Sequence, residues 1–210
     1  MQLSAEIRWF WHKTPNSDFQ KWFHSTEHHP VLAGGGKLRQ DLYLLDKNQS
    51  EIGLKIRNDN PGVEIKGLIQ ASFTELKSAP FVGTVDLWSK WTTEVLELPP
   101  DSTIMVEKIR WMRKYISFGT DIHELQLDAY EMPVDNLILP KNGCNVELTQ
   151  LKLANGAMWW TFGFEAFGDL NILARSIQST ASELTNRTPP LLVTELQASY
   201  PSWLSYALGD

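Results

Sequence analysis

Six stretches of the chain alternate charged or polar side chains with apolar ones at a spacing of two, and this pattern constrains the fold most. A β-strand throws successive side chains to opposite faces. Gln2, Ser4, Glu6 and Arg8 therefore share one face, and Leu3, Ala5, Ile7 and Trp9 the other. Lys55 and Arg57 oppose Leu54 and Ile56, Glu64 and Lys66 oppose Val63 and Ile65, and Lys108 and Arg110 oppose Ile109 and Trp111. Further on, Glu124, Gln126 and Asp128 oppose Leu125 and Leu127, and Asn145, Glu147 and Thr149 oppose Val146 and Leu148. Taken singly, each is a half-buried strand with its charged face in water. Taken as a set, the basic pairs gather on some strands and the acids on others, although like charges crowded on one strand repel. Basic strands facing acidic ones suit a site that grips an anion with one wall and a cation with the other. With helices on the apolar faces, the polar faces point into a lumen.

The rest of the chain fits one such domain. Strands are expected near 2–11, 38–46, 51–58, 62–70, 104–117, 122–132, 144–153 and 157–164. Helices are expected near 16–24, capped by Asn16 or Ser17, near 169–185, and near 192–207 with an interruption at Pro201. The stretch 84–97 reads equally as strand or helix. The segments 28–36 (HHPVLAGGG), 58–62 (NDNPG) and 98–102 (LPPDS) read as connections. None separates regions of different composition. The expected fold class is therefore α+β: an antiparallel β-barrel, or tunnel, of about eight strands with helices packed outside. The strand core covers about 1–165, the helical part about 166–210, and the two form a single domain.

Composition narrows the partners. The 210 residues carry a net charge of −6, which argues against a surface for duplex nucleic acid. No run approaches the apolar length of a membrane span, and MQLSAEIRWF lacks the features of a secretory signal. The single cysteine, Cys144, supports neither a disulfide framework nor a cysteine-based zinc site. The expected setting is cytoplasmic, and the chain is expected to be a monomer or homodimer. A small phosphorylated anion fits the interior cations. Lysine and arginine hold phosphate oxygens by charge-assisted hydrogen bonds, and carboxylates can hold Mg²⁺ or Mn²⁺ bridging to the phosphate.

The order of these strands resembles the CYTH superfamily, the triphosphate tunnel metalloenzymes, over roughly residues 1–165. The family's opening ExExK strand aligns with Ser4, Glu6 and Arg8. Its next strand is similar to RQDLYLL at 39–45, its R-x-R strand to Lys55 and Arg57, and its Ile-Lys-Gly strand to Ile65, Lys66 and Gly67. Its K-x-R strand is similar to Lys108 and Arg110, its acidic strand to HELQLDAYE with Asp128, and its late E-x-E to Asn145 and Glu147. The resemblance implies divalent-metal-dependent hydrolysis of an inorganic or organic triphosphate. Arg8, Lys55, Arg57, Lys66, Lys108 and Arg110 would then bind phosphates. Glu6, Asp128 and Glu147 would hold Mg²⁺ or Mn²⁺, with Glu6 and Glu147 the catalytic acids. Ser4 and Asn145 replace two of the family's carboxylates. That departure sets up an alternative, a binding module for triphosphate, polyphosphate or another phosphorylated ligand. An adenylyl cyclase-like activity on the same scaffold is a further alternative.

Three other features read as structure. His24, Glu27, His28 and His29 fit a solvated loop better than a metal site, because Pro30 breaks any regular geometry. Trp159, Trp160, Phe162, Phe164 and Phe167 read as core. Gly34–Gly36 has no following lysine and serine at a helix start, so it reads as a lid or turn rather than a phosphate loop.

Overall fold

A computed structural model describes residues 1–12, 14, 17–25, 36–46, 50–57, 60–118, 121–128, 130–134 and 140–209. Its strands are β1 (Gln2–Trp11), β2 (Lys37–Leu44), β3 (Ile52–Arg57), β4 (Asn60–Ser78), β5 (Phe81–Thr93), β6 (Thr103–Phe118), β7 (Asp121–Leu125), β8 (Gly143–Leu153), β9 (Met158–Phe167) and β10 (Leu196–Gln197). Its helices are α1 (Ser17–His24), α2 (Leu170–Thr185) and α3 (Tyr200–Ala207). Neighbours run in the order β1-β5-β4-β3-β2-β6-β8-β9, and β9 pairs back onto β1 from Ser4↔Phe167 to Trp11↔Trp160. The sheet therefore closes into an eight-stranded antiparallel barrel, the architecture expected from the alternation. Two short strands lie off the ring: β7 pairs with β6, and β10 pairs with β1 at Trp9 and Phe10.

The two faces separate as the period-two pattern requires. The outward set of β1, β8 and β9 (Ile7, Trp9, Val146, Leu148, Phe162 and Phe164 among them) forms the main core with Phe19 and Phe23 of α1. From α2 it receives Leu173, Ile177, Ala181 and Leu184, spaced by three and four so that they fall on one helix face. The expected packing role of the 159–167 aromatics holds, with Trp159 on the opposite, inward side. The hairpin of β4 and β5 resolves the ambiguous 84–97 stretch as strand as far as Thr93.

α3 lies across one end of the barrel. Trp203 and Leu204 pack with the inward-facing Phe10, Tyr43, Val106, Leu151, Leu153 and Trp159, and Trp203 stacks on Phe10 at 5.1 Å between centroids. This apolar plug fills that end. Pro201 does not interrupt the helix. It sits in the first turn, where its missing N–H costs nothing, and Ser199 caps the helix by accepting from Ser202 N. Among the described residues no helix is long and apolar enough to cross a membrane.

Candidate functional site

The polar half of the barrel interior opens above the α3 plug. Its walls bring together Glu6 and Arg8 from β1, Arg39 and Tyr43 from β2, Lys55 and Arg57 from β3, Glu64 and Lys66 from β4, Lys90 from β5, Arg110 from β6, Glu147 from β8 and Glu165 from β9. Tyr200 and Pro201 of α3 form its floor. Of the residues expected in the site, Glu6, Arg8, Lys55, Arg57, Lys66, Arg110 and Glu147 share this one cavity.

The cations and carboxylates are interleaved rather than set on opposing walls. Glu147 accepts from Arg8 Nη2 at 2.7 Å and from Arg110 Nη1 at 2.9 Å. Glu64 faces Lys55 at 3.0 Å and Arg57 at 2.9 Å, Glu6 accepts from Lys66 and from Ser4, and Glu165 lies 3.6 Å from Lys90. The reason is register. Pairing places Lys55 directly opposite Glu64 and Arg57 opposite Asp41, so basic strands meet acids on their neighbours. Alternation along one strand fixes a side chain's face but not which strand lies beside it.

Seven cations and four carboxylates line the cavity. Asp41, Lys108 and Glu131 touch these groups from just outside the lining, and with them the cations still outnumber the carboxylates by eight to six. Two guanidinium donors are buried without a hydrogen-bond partner, Arg8 Nη1 and Arg57 Nε, while Arg39 Nε faces Asp41 Oδ1 at 3.5 Å. Buried donors in a protein interior are almost always satisfied, so these two are open to acceptor oxygens. Arg8 reaches Glu147 because Gly163 lies opposite it in the wall. A Cβ on that glycine would stand 3.0 Å from the Arg8 Cζ.

The electrostatics follow from this packing. Burial works against ionisation of Glu147, but Arg110 and Arg8 outweigh it and hold its carboxyl well below the usual range. Burial, reinforced by Arg57, lowers the Lys55 ammonium to about 8, against the partial compensation of Glu64 and Asp41. Glu165 raises Lys90.

Lys108 and Asp128 stand apart from the cavity. Lys108 is 1% exposed, donates to Tyr43 Oη, lies 3.0 Å from Asp41 Oδ2, and sits 3.9 Å from the centroid of the Tyr200 ring. Its ammonium is committed to the layer beneath the lumen, and burial lowers its pKa well below the ordinary lysine value. Asp128 is exposed in a turn, where its Oδ1 accepts from the backbone N–H of Tyr130 and of Met132 at 2.8 and 2.9 Å. The strand expected over 122–132 therefore stops at Leu125, because this turn consumes the backbone that a ladder would use. It is Glu131, within this turn, that clasps Arg110 from just outside the lining.

The acidic wall expected from Glu124 is likewise outside the barrel. Glu124 is held bidentately by Arg113, at 2.7 and 2.8 Å, and by Arg187 at 2.7 Å, between the barrel's outer face and the end of α2. His24 contacts the Trp111 ring edge-on at 5.5 Å. Residues 27–29 and Gly34 and Gly35 lie outside the described residues. Gly36 abuts Arg110 so closely that a Cβ there would meet its carbonyl oxygen at 2.5 Å.

The lumen carboxylates as arranged are compensated by protein cations. Each faces ammonium or guanidinium groups, Asp128 lies elsewhere, and among the described residues no three His, Cys, Asp or Glu side chains group as a metal site. A second, smaller opening pierces the wall where β5 parts from β1 after the Glu6↔Asp86 pair. It shares Glu6, Arg8 and Lys66 with the lumen and adds Asp86, Trp88 and Ser199. Neither known family models nor characterised proteins give a match to this chain.

Proposed function

We propose that the barrel binds a phosphate-rich anion, an inorganic or organic triphosphate or polyphosphate, in the lumen above α3. Arg8, Arg39, Lys55, Arg57, Lys66, Lys90 and Arg110 take the phosphate oxygens. The observation that carries this reading is the excess of interior cations together with the unsatisfied donors on Arg8 and Arg57. Guanidinium groups are suited to it, since they bind phosphate oxygens bidentately and keep their charge at every physiological pH. The resemblance of the strand order to the CYTH superfamily supports the same ligand class. Binding exchanges carboxylate partners for phosphate partners, so the cations stay compensated throughout.

Titration calorimetry with tripolyphosphate tests the reading. Saturable binding that weakens at least tenfold in Arg8→Ala supports it. A folded protein that shows neither heat nor a rise in melting temperature with tripolyphosphate would overturn it, since any ligand selective for the folded state stabilises it.

Hydrolysis of the bound triphosphate with Mg²⁺ or Mn²⁺ is the second reading. It is favoured by Glu6 and Glu165 standing directly opposite each other across β1 and β9, with Glu147 on the next strand. It requires that phosphates draw away the cations now compensating these acids. Phosphate release from tripolyphosphate and nucleoside triphosphates, measured with and without each metal, separates the two readings.

A further inference from the structure

Arg110 lines the lumen, yet its donors are taken by carboxylates: Nη1 by Glu147, and Nε and Nη2 by Glu131. The two acids differ in attachment. Glu147 belongs to the barrel wall and is held by Arg8 as well. Glu131 comes from a loop outside the wall, and among the described residues the hydrogen bonds of its carboxylate go to Arg110. Its side chain is only 13% exposed.

The loop is built to deliver it. Asp128 closes the turn with its side chain on two amides and with a backbone bond from its own N–H to Met132 O at 2.8 Å. Glu131 N donates to Asp128 O, Val134 N donates to Gln126 O, and Leu127 bridges Pro133. Glu131 itself adopts φ 64°, in the left-handed region that glutamate enters only at a cost. A strained residue held by a specific contact is a pattern found at clamps and switches.

We propose that Glu131 is a tethered competitor for the anion site, a carboxylate standing where a phosphate oxygen would go, which the ligand must displace from Arg110. This rests on the reading of the lumen as a phosphate-rich anion site and adds its regulation. A tethered group competes at an effective concentration that is millimolar for a short linker. A lone orthophosphate gains too little from Arg110 to win that exchange. A chain of phosphates that reaches Arg8, Lys66 and Lys55 at once gains enough. Glu131 thus sets a threshold that favours charge-dense chains.

The test is titration calorimetry of the full chain with tripolyphosphate, comparing wild type, Glu131→Gln and Glu131→Asn, with Glu107→Gln on the outer face as the control for net charge. Gln removes the charge at constant shape, and Asn also tolerates the left-handed backbone. The expected result is binding about tenfold tighter or more in both Glu131 variants and wild-type affinity in Glu107→Gln. Unchanged or weaker binding in the two Glu131 variants overturns the proposal, as does failure of both to fold, which would make the contact structural. If wild type and every variant are folded and none binds, the anion-site reading falls first and the threshold with it.

Discussion

Lys55 makes the lumen sensitive to pH in a direction that can be worked out in advance. Its ammonium is 14% exposed and is lowered from 10.5 to about 8, chiefly by burial and then by Arg57. A phosphate set against it would restore the ordinary value, so binding takes up a proton above pH 8. At pH 9 about nine-tenths of the free protein has lost that proton. Anion affinity should therefore fall about tenfold between pH 7 and pH 9, or about 1.4 kcal/mol. The fold responds in the opposite sense. Between about 8 and 10.5 the unfolded chain holds more protons at this site than the native one, so Lys55 makes stability rise with pH there, by roughly 3 kcal/mol across the window. Lys108, also lowered by burial, pushes stability the same way but does not line the cavity. Calorimetry with tripolyphosphate from pH 7 to 9, in buffers of different ionisation enthalpy, reads both the affinity and the proton taken up. Lys55→Arg keeps its charge throughout, and its ratio to wild type cancels the ligand's own ionisation. A flat ratio across that range would refute the reasoning, because some other group would then set the pH dependence.

Other expectations bear on the scaffold. Glu124→Gln leaves Arg113 and Arg187 short of their shared partner and should cost about 3 kcal/mol, read by denaturant unfolding. Burial opposes ionisation of Glu124, but Arg113 and Arg187 hold its pKa below the usual range. Its contribution is therefore present above the ordinary carboxylate value and lost as pH falls through the lowered one, so the stability gap between wild type and Glu124→Gln should close in acid. Trp203→Ala empties the plug and should cost roughly 3–5 kcal/mol. A smaller loss in thermal or denaturant unfolding would show that α3 is not integral to the barrel. Lys108→Ala removes the nearest cation from Asp41, which keeps Arg39 at 3.5 Å and Lys55 at 3.6 Å, and should destabilise by about 2 kcal/mol, while Arg57→Ala, at the partly exposed rim, should weaken tripolyphosphate binding with little change in melting temperature.

The sequence pattern located the wall of this site better than its contents. Alternation alone turned Glu6, Arg8, Lys55, Arg57, Lys66, Arg110 and Glu147 inward, because a strand's period does not depend on its neighbours. Lys90 was hidden because 84–97 carries both helical and strand signals, and Glu165 because the expected strand stopped one residue short of it. Arg39, Asp41 and Tyr43 do alternate inward within RQDLYLL and were legible on that ground. Glu131 was not, since no local rule puts a glutamate at positive φ. Asp128 alternates like a strand residue, but its carboxylate holds two backbone amides of a turn instead. Tyr200 reaches the lumen only because α3 folds across the barrel end, a tertiary fact with no local signature.

The seam between β1 and β9 has a consequence for how the molecule forms. β1 is the earliest strand in the chain, yet one of its edges is completed by residues 160–167 and part of the other by 196–197. Such distant contacts must await loop closure over most of the chain, which slows folding. Until then β1 presents an unpaired edge bearing Ile7, Trp9 and Phe10, a template for the wrong strand. The same closure that seals the lumen thus makes assembly late and cooperative. Stop-flow refolding should show β1 acquiring amide protection together with β9, in the last phase.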